Sequence, residues 1–386
     1  MILSQEASMF DEEFKKLNEL KKQILFMRDS KEKVLLIKDY YSIAFFLEKM
    51  GAIENIEDYY LDSHDEEKYD LIWHKERINL IKNVFSNKDD LYHVFANLID
   101  CYHENNFYGT GNFEAIIVDK AKMGSILDDF FYELGDDIYA LFARVIEERR
   151  LLVMEDLGSG GYTYNSMHTD LGYIIVPHQA NDLNFYLNMV HEFGHLYEMK
   201  EEKDNPFIAD IHFLCEVVST LFEKLFIYYL DNLVIYEKEL VRLREIRHAF
   251  ILNHLAVSKF LCELKSIQGG LEIDGDDLIA QVPFSKEEIT SILENDCGFV
   301  FDRSKKLPIY SIIYAVNDII STYFFYEILC DKEKGFKELK DFILNIRGKK
   351  VSDLINKYLM DSVKDYAYIE DFIYQKNNQK RKYLHE

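Results

Sequence analysis

The sequence is short of residues that break a helix and of residues that carry positive charge. Four prolines and 16 glycines in 386 residues fall below the usual ~5% and ~7%. That excludes collagen-like and loop-dominated chains, and long helices are the natural outcome. Lys and Arg number 45 against 69 Asp and Glu, a formal net charge of −24. Such a balance argues against nucleic-acid and anionic-membrane partners, which need basic patches, and favours neutral or basic peptides. The five cysteines, Cys101, Cys215, Cys262, Cys297 and Cys330, are odd in number and form no CxxC pair. They supply no disulfide framework, and their apolar helical surroundings predict reduced core residues of a cytoplasmic protein. The N-terminus turns polar and charged within a dozen residues, so no signal peptide is expected. No apolar run is expected to approach the ~18 residues of a membrane span.

What is present is helical periodicity. Phe14, Leu17, Leu20, Ile24 and Leu25 recur at helical spacing and predict a helix from Glu12 to Met27. The same pattern predicts helices from Lys31 to Met50, Glu67 to Val84, Asp89 to His103 and Met123 to Arg149, with a turn from Asn105 to Asn112. Later helices are expected from Phe222 to Leu264, over 286–295, and from Tyr323 to Asp371. Arg242, Arg244, Arg247 and His248 form a basic cluster, suited to an internal charge partner or to a peptide carboxylate. Gly158-Ser159-Gly160-Gly161 marks a turn, and no Lys-Ser or Lys-Thr follows to make a phosphate loop. Beyond it, Tyr162 and Tyr164 alternate with small polar residues. Tyr173-Ile174-Ile175-Val176, closed by Pro177, is predicted to be an edge strand. An extended peptide can add to such an edge through main-chain hydrogen bonds, which makes Tyr173, Ile174 and His178 candidate substrate contacts, with His168 nearby.

The chemistry centres on His191-Glu192-Phe193-Gly194-His195. Asp182 is a good N-cap residue, and no Pro or interior Gly interrupts residues 183–193. Side chains four apart on a helix share a face, so both imidazoles can meet at one point, a geometry zinc accepts at about 2.0–2.1 Å. The Glu192 carboxylate lies beside that point and can take a proton from a water there. A catalytic zinc site needs a third protein ligand and an open position. A metzincin would have glycine at position 198 and histidine at 201, where Glu198 and Glu201 stand, so that class is excluded. The helix-like segment Phe213–Glu223 offers Glu216 in an otherwise apolar stretch, where an unpaired carboxylate is costly. A turn near Asn205-Pro206 would return it to the first helix. His212 and Asp210 are rival ligands.

HEFGH followed by Glu216-Val217-Val218-Ser219-Thr220-Leu221-Phe222-Glu223 resembles the oligopeptidase F branch of the thimet oligopeptidase family. Gly160 to Tyr164 and Gly172 to Val176 are similar to the glycine- and tyrosine-rich strands before that family's HEFGH, and Tyr310 to Ala315 to its tyrosine-rich helix. The resemblance covers roughly residues 155–325. It implies a mainly α fold, a helical gluzincin architecture with a small β-sheet beside the active-site helix. It further implies a shortened N-terminal helical region, 1–150, covering the cleft, and a catalytic region, 151–386. One zinc ion would be held by His191, His195 and Glu216, with Glu192 as general base. Ser219 and Glu223, one and two turns beyond Glu216, are candidates to hydrogen-bond to the ligands, with a surface ion pair the equal alternative for Glu223. Tyr310 and Tyr314, four apart on one helix, would donate to the oxyanion. The family's histidine upstream of those tyrosines has no counterpart: none occurs between His254 and His385, and Ser304 stands near its place. The expected function is zinc-dependent hydrolysis of oligopeptides by Glu-assisted attack of a zinc-bound water. The alternatives are an endopeptidase of larger or unfolded proteins, and a catalytically lapsed protein that binds peptide or zinc.

Overall fold

The structure is a computed structural model that describes residues 11–28, 30–51, 88–104, 116–154, 161–164, 172–177, 182–201, 214–233, 236–262, 310–346 and 357–358. The helices expected over 67–84 and 286–295, and residues His168, His178, His212, Asp210 and Ser304, lie outside the described residues. The described elements are mainly helical, with one small three-stranded sheet. They divide into two compact units, each discontinuous in sequence: Met1–His74 with Ala115–Ile208, and Lys75–Glu114 with Ala209–Glu386. Both units draw on residues from either side of position 150, the expected boundary between the N-terminal and catalytic regions.

The first unit holds α1 (Asp11–Phe26), α2 (Lys31–Gly51), β1 (Leu151–Met154), β2 (Tyr162–Tyr164), β3 (Tyr173–Pro177) and α6 (Leu183–Glu201), together with α4 (Lys120–Leu134) and α5 (Asp136–Glu147). The predicted helix from Met123 to Arg149 is in fact α4 and α5. Gly135 separates them at φ 141°, a conformation that favours glycine because a β-carbon would clash. The sheet order is β1-β3-β2, parallel then antiparallel. The predicted edge strand is therefore the central one, and β2 is an edge among the described strands. All five residues of β3 are buried, because it is hydrogen-bonded along both sides and covered on both faces.

Alternation of side chains across the pleat assigns those faces. Tyr173 and Ile175 join Leu152 in a core with Leu17, Leu20 and Ile24 of α1 and Ile37, Tyr40 and Tyr41 of α2. On that side Tyr164 stacks on Tyr41, with ring centroids 5.6 Å apart. Ile174 projects to the opposite face, and Thr163 is its register partner on β2. Helix α6 packs against β2 and β3.

The second unit holds α3 (Lys88–Glu104), α7 (Glu216–Asn232), α8 (Glu237–Cys262), α9 (Tyr310–Cys330) and α10 (Lys332–Ile346). The predicted run from Phe222 to Leu264 is interrupted near Tyr236, whose φ is 54°. Helix α9 packs against α7, α8 and α10. It runs counter to the expectation about apolar stretches: Ile312–Cys330 is long and apolar enough to cross a membrane. Most of it is buried in the protein, and Asn317, Asp318, Ser321 and Thr322 sit on it among the buried polar residues, as in a core helix. Their polarity is absorbed locally, since Asn317, Ser321 and Thr322 donate to carbonyls one turn back. Helix α10 approaches α9 closely at Gly335, where a β-carbon would come within 2.6 Å of the Ile328 backbone nitrogen. Cys215, Cys262 and Cys330 are free thiols; Cys262 is buried as expected, whereas Cys330 is exposed at the end of α9.

Candidate metal centre

Helix α6 begins where the sequence places its cap. The Asp182 carboxylate accepts from the Asn184 backbone N–H at 3.1 Å and also from that of Ile116 at 3.1 Å. Cap and incoming chain are thereby fixed together. Twelve of the helix's 19 residues are buried, so the helix is held by packing on most sides rather than by one apolar stripe. Phe193 is 1% exposed and meets Phe131 of α4 at 4.5 Å and Phe142 of α5 at 6.1 Å between ring centroids. Anchoring that residue in the core turns the faces carrying His191 and His195 away from it, and both histidines are half-buried.

The two histidines meet as the four-residue spacing requires. Their Nε2 atoms are 3.1 Å apart and the rings stand at 83°. Two nitrogens bound tetrahedrally at 2.0–2.1 Å would lie about 3.3 Å apart, so the pair suits one zinc-sized cation; without one, a neutral ring can donate to its neighbour. His191 and His195 belong to the first unit, and the third ligand expected from the sequence, Glu216, belongs to the second. The donor set, two imidazoles and a carboxylate, is one that catalytic zinc uses.

Glu216 is the first residue of α7, where the helix dipole favours negative charge. Ser219, fully buried, donates to its Oε2 at 2.9 Å. Glu223 is differently engaged: its Oε2 accepts from Arg247 of α8. Of the basic cluster, Arg247 thus serves as an internal charge partner, while the side chains of Arg242, Arg244 and His248 lie outside those described.

Glu192 is 6% exposed and is held from β2. Thr163 Oγ1 lies 2.7 Å from its Oε2 and 2.8 Å from its backbone oxygen. Gly161 lies against the same carboxylate: a β-carbon there would come within 2.7 Å of Glu192 Cγ and Oε1. Thr163 and Gly161 were not singled out from the sequence. Their only signal was the run of small residues alternating with tyrosines in Gly161-Tyr162-Thr163-Tyr164, and only pairing with β3 shows which way each points.

The remaining candidates are dispersed. Tyr173 and Ile174 are 7% and 1% exposed, Tyr173 with the Arg150 guanidinium 4.6 Å from its ring centroid. They are interior residues of a central strand and not surface contacts for a peptide. Tyr314 is half-buried on α9, its ring 5.1 Å from that of His254 on α8. Tyr310 begins the same helix. His254 is 4% exposed, and neither ring nitrogen has a hydrogen-bond partner among the described residues. Burial pushes its pKa down to about 4, against an opposing pull from Asp318, so the ring is neutral at pH 7. Burial first, then Tyr162 and Glu192, push the Tyr164 phenol upward.

No protein-family model and no curated protein matches the sequence. Solved structures do match the fold. A protein from Chlamydophila abortus assigned as a peptidase superposes with a TM-score of 0.50 at 15% identity, over 89% of this chain and 61% of that one. An assigned oligoendopeptidase F from Bacillus anthracis str. Ames gives 0.47 at 14% identity, over 89% and 64%. PZ peptidase A gives 0.47 at 12%, over 97% and 67%. This chain thus spans less than two thirds of the first two proteins. At identities this low the likeness is one of fold, shared with the Chlamydophila abortus protein.

Proposed function

We propose that this chain is a zinc-dependent peptidase in which His191, His195 and Glu216 hold the metal and Glu192 is the general base. The observation that carries the reading is the pair of imidazole nitrogens 3.1 Å apart on α6, with a buried, hydrogen-bonded carboxylate on the residue after the first of them. A zinc ion at this donor set supplies a Lewis acid that acidifies water and polarises a peptide carbonyl. Glu192 takes the proton from the attacking water and returns it to the leaving amine nitrogen as the C–N bond breaks. Ser219 fixes the Glu216 carboxylate by its hydrogen bond to Oε2. Tyr314 is the proposed oxyanion donor, with Tyr310 as the second candidate. The substrate is an extended peptide, and the strand suited to receive it is β2, whose outer edge can extend the sheet.

The test is metal analysis of the full chain combined with digestion of a peptide library by wild type and by Glu192→Gln. About one zinc per chain in both proteins, with cleavage only by wild type, supports the reading. Absence of bound zinc, or cleavage that survives Glu192→Gln, ends it. Peptides of graded length in the same digest separate an oligopeptidase from an enzyme of larger proteins.

A further inference from the structure

Glu192 has two carboxylate oxygens, and the structure treats them differently. Oε2 lies 2.7 Å from the Thr163 hydroxyl, while Oε1 has no hydrogen-bond partner among the described residues and lies over Gly161. Thr163 reaches this position because β2 pairs antiparallel with β3, opposite Ile174, on the sheet face away from α1 and α2. The same hydroxyl lies 2.8 Å from the Glu192 backbone oxygen. Two acceptors of one residue therefore bracket a β-branched side chain whose χ1 has little freedom. A hydroxyl-to-carboxylate bond is charge-assisted and strongest while the acceptor is ionised.

We propose that Thr163 is a positioning residue for the base: its hydroxyl holds Oε2, so that Oε1 is the oxygen that accepts the proton from water and returns it to the leaving nitrogen. The inference rests on the peptidase reading above. The water's oxygen bonds to the carbonyl carbon, its proton moves to Oε1, and the C–N bond then breaks as Oε1 gives that proton to nitrogen. Oε2 stays on Thr163 throughout, and the carboxylate does not rotate between the two transfers.

Thr163→Val removes the hydroxyl and keeps the branched shape, while Thr163→Ser keeps the hydroxyl. With a fluorogenic peptide taken from the library digest, Thr163→Val is expected to lower kcat by about 10–100-fold, the loss that misorientation of a catalytic group produces. KM should stay within about twofold, since this contact does not touch substrate, and Thr163→Ser should recover most of kcat. Zinc affinity, measured by calorimetric titration, should match wild type in both variants. Crystal structures of the zinc-loaded proteins give a readout that does not depend on turnover. The Glu192 carboxylate should leave its wild-type position in Thr163→Val and keep it in Thr163→Ser. An unmoved carboxylate in Thr163→Val, unchanged kcat, or a loss that Thr163→Ser does not rescue overturns the proposal. If wild type cleaves no peptide, the peptidase reading fails by itself, and the carboxylate positions alone decide whether Thr163 orients Glu192.

Discussion

Gly161→Ala probes Glu192, the proposed base, without replacing any proposed metal ligand. Gly161 is not among the residues with positive φ, so alanine fits the backbone there and the whole perturbation comes from one methyl group. That methyl would sit 2.7 Å from Glu192 Cγ and Oε1 and 2.9 Å from Cδ. Ordinary contact for a β-carbon begins near 3.4 Å, so the carboxylate has to retreat by about 0.7 Å. What must move is the end of a side chain and not backbone, so the folded state loses little. Restricting the unfolded chain even contributes about 0.4–1 kcal/mol in the stabilising direction. Catalysis is far less tolerant: misplacement of a reacting group by about 1 Å costs on the order of 10²-fold. We expect kcat to fall by about 10–100-fold, equivalent to roughly 1.4–2.7 kcal/mol of transition-state stabilisation. Tm should stay within a few degrees of wild type, and bound zinc should be unchanged. Steady-state kinetics on the library-derived peptide, a thermal melt and metal analysis of the same preparation decide it. A kcat within twofold of wild type refutes the reasoning. So does a proportional loss of zinc and thermal stability, which would mean that Gly161 supports the strand and not the carboxylate.

Ser219→Ala deprives the Glu216 carboxylate of its 2.9 Å donor and is expected to weaken zinc binding by about 10–100-fold, measured by competition with a chromophoric chelator. Lys224 Nζ lies 2.7 Å from both Asp318 Oδ1 and Thr322 Oγ1, with the ion-pair side chains 14% and 6% exposed. Lys224→Met should destabilise the second unit by about 3–5 kcal/mol, because it strands a buried carboxylate, while Lys224→Met with Asp318→Asn recovers much of that loss. Urea unfolding of the single and double variants measures the coupling, and a purely additive result contradicts it. His254 is depressed from 6.5 to about 4. Between those values the unfolded chain binds the proton and the folded chain does not, so the associated stability is complete above pH 6.5 and is lost as pH falls toward 4. That contribution is roughly 3 kcal/mol. Metal-free wild type should therefore lose more stability than His254→Leu between pH 7 and 4; parallel pH profiles would show that His254 titrates normally.

Local chemistry made part of this protein legible in its sequence. Two histidines four apart on an uninterrupted, capped helix can only share a face, because the 3.6-residue turn depends on nothing distant. The same locality places Ser219 on Glu216 one turn away, and apolar spacing marks α1, α2 and α3. Other features depended on partners far along the chain. Burial of Tyr173 and Ile174 follows from β3 being central, which requires β1 and β2 to pair on either side of it. Buried apolar β-branched residues look the same in the sequence whether one edge is paired or two. Helix α9 reads as apolar enough for a membrane, and only its packing against α7, α8 and α10 shows that apolar surface covered by protein. Thr163 and Gly161 belong to Glu192 only because β2 lies against α6, and strand register, a long-range property, decided which alternate residue faces that carboxylate. Helical spacing thus determined the pair of imidazoles, whereas tertiary pairing decided what holds the Glu192 carboxylate between them, since contacts across 29 residues leave no periodic trace in the sequence.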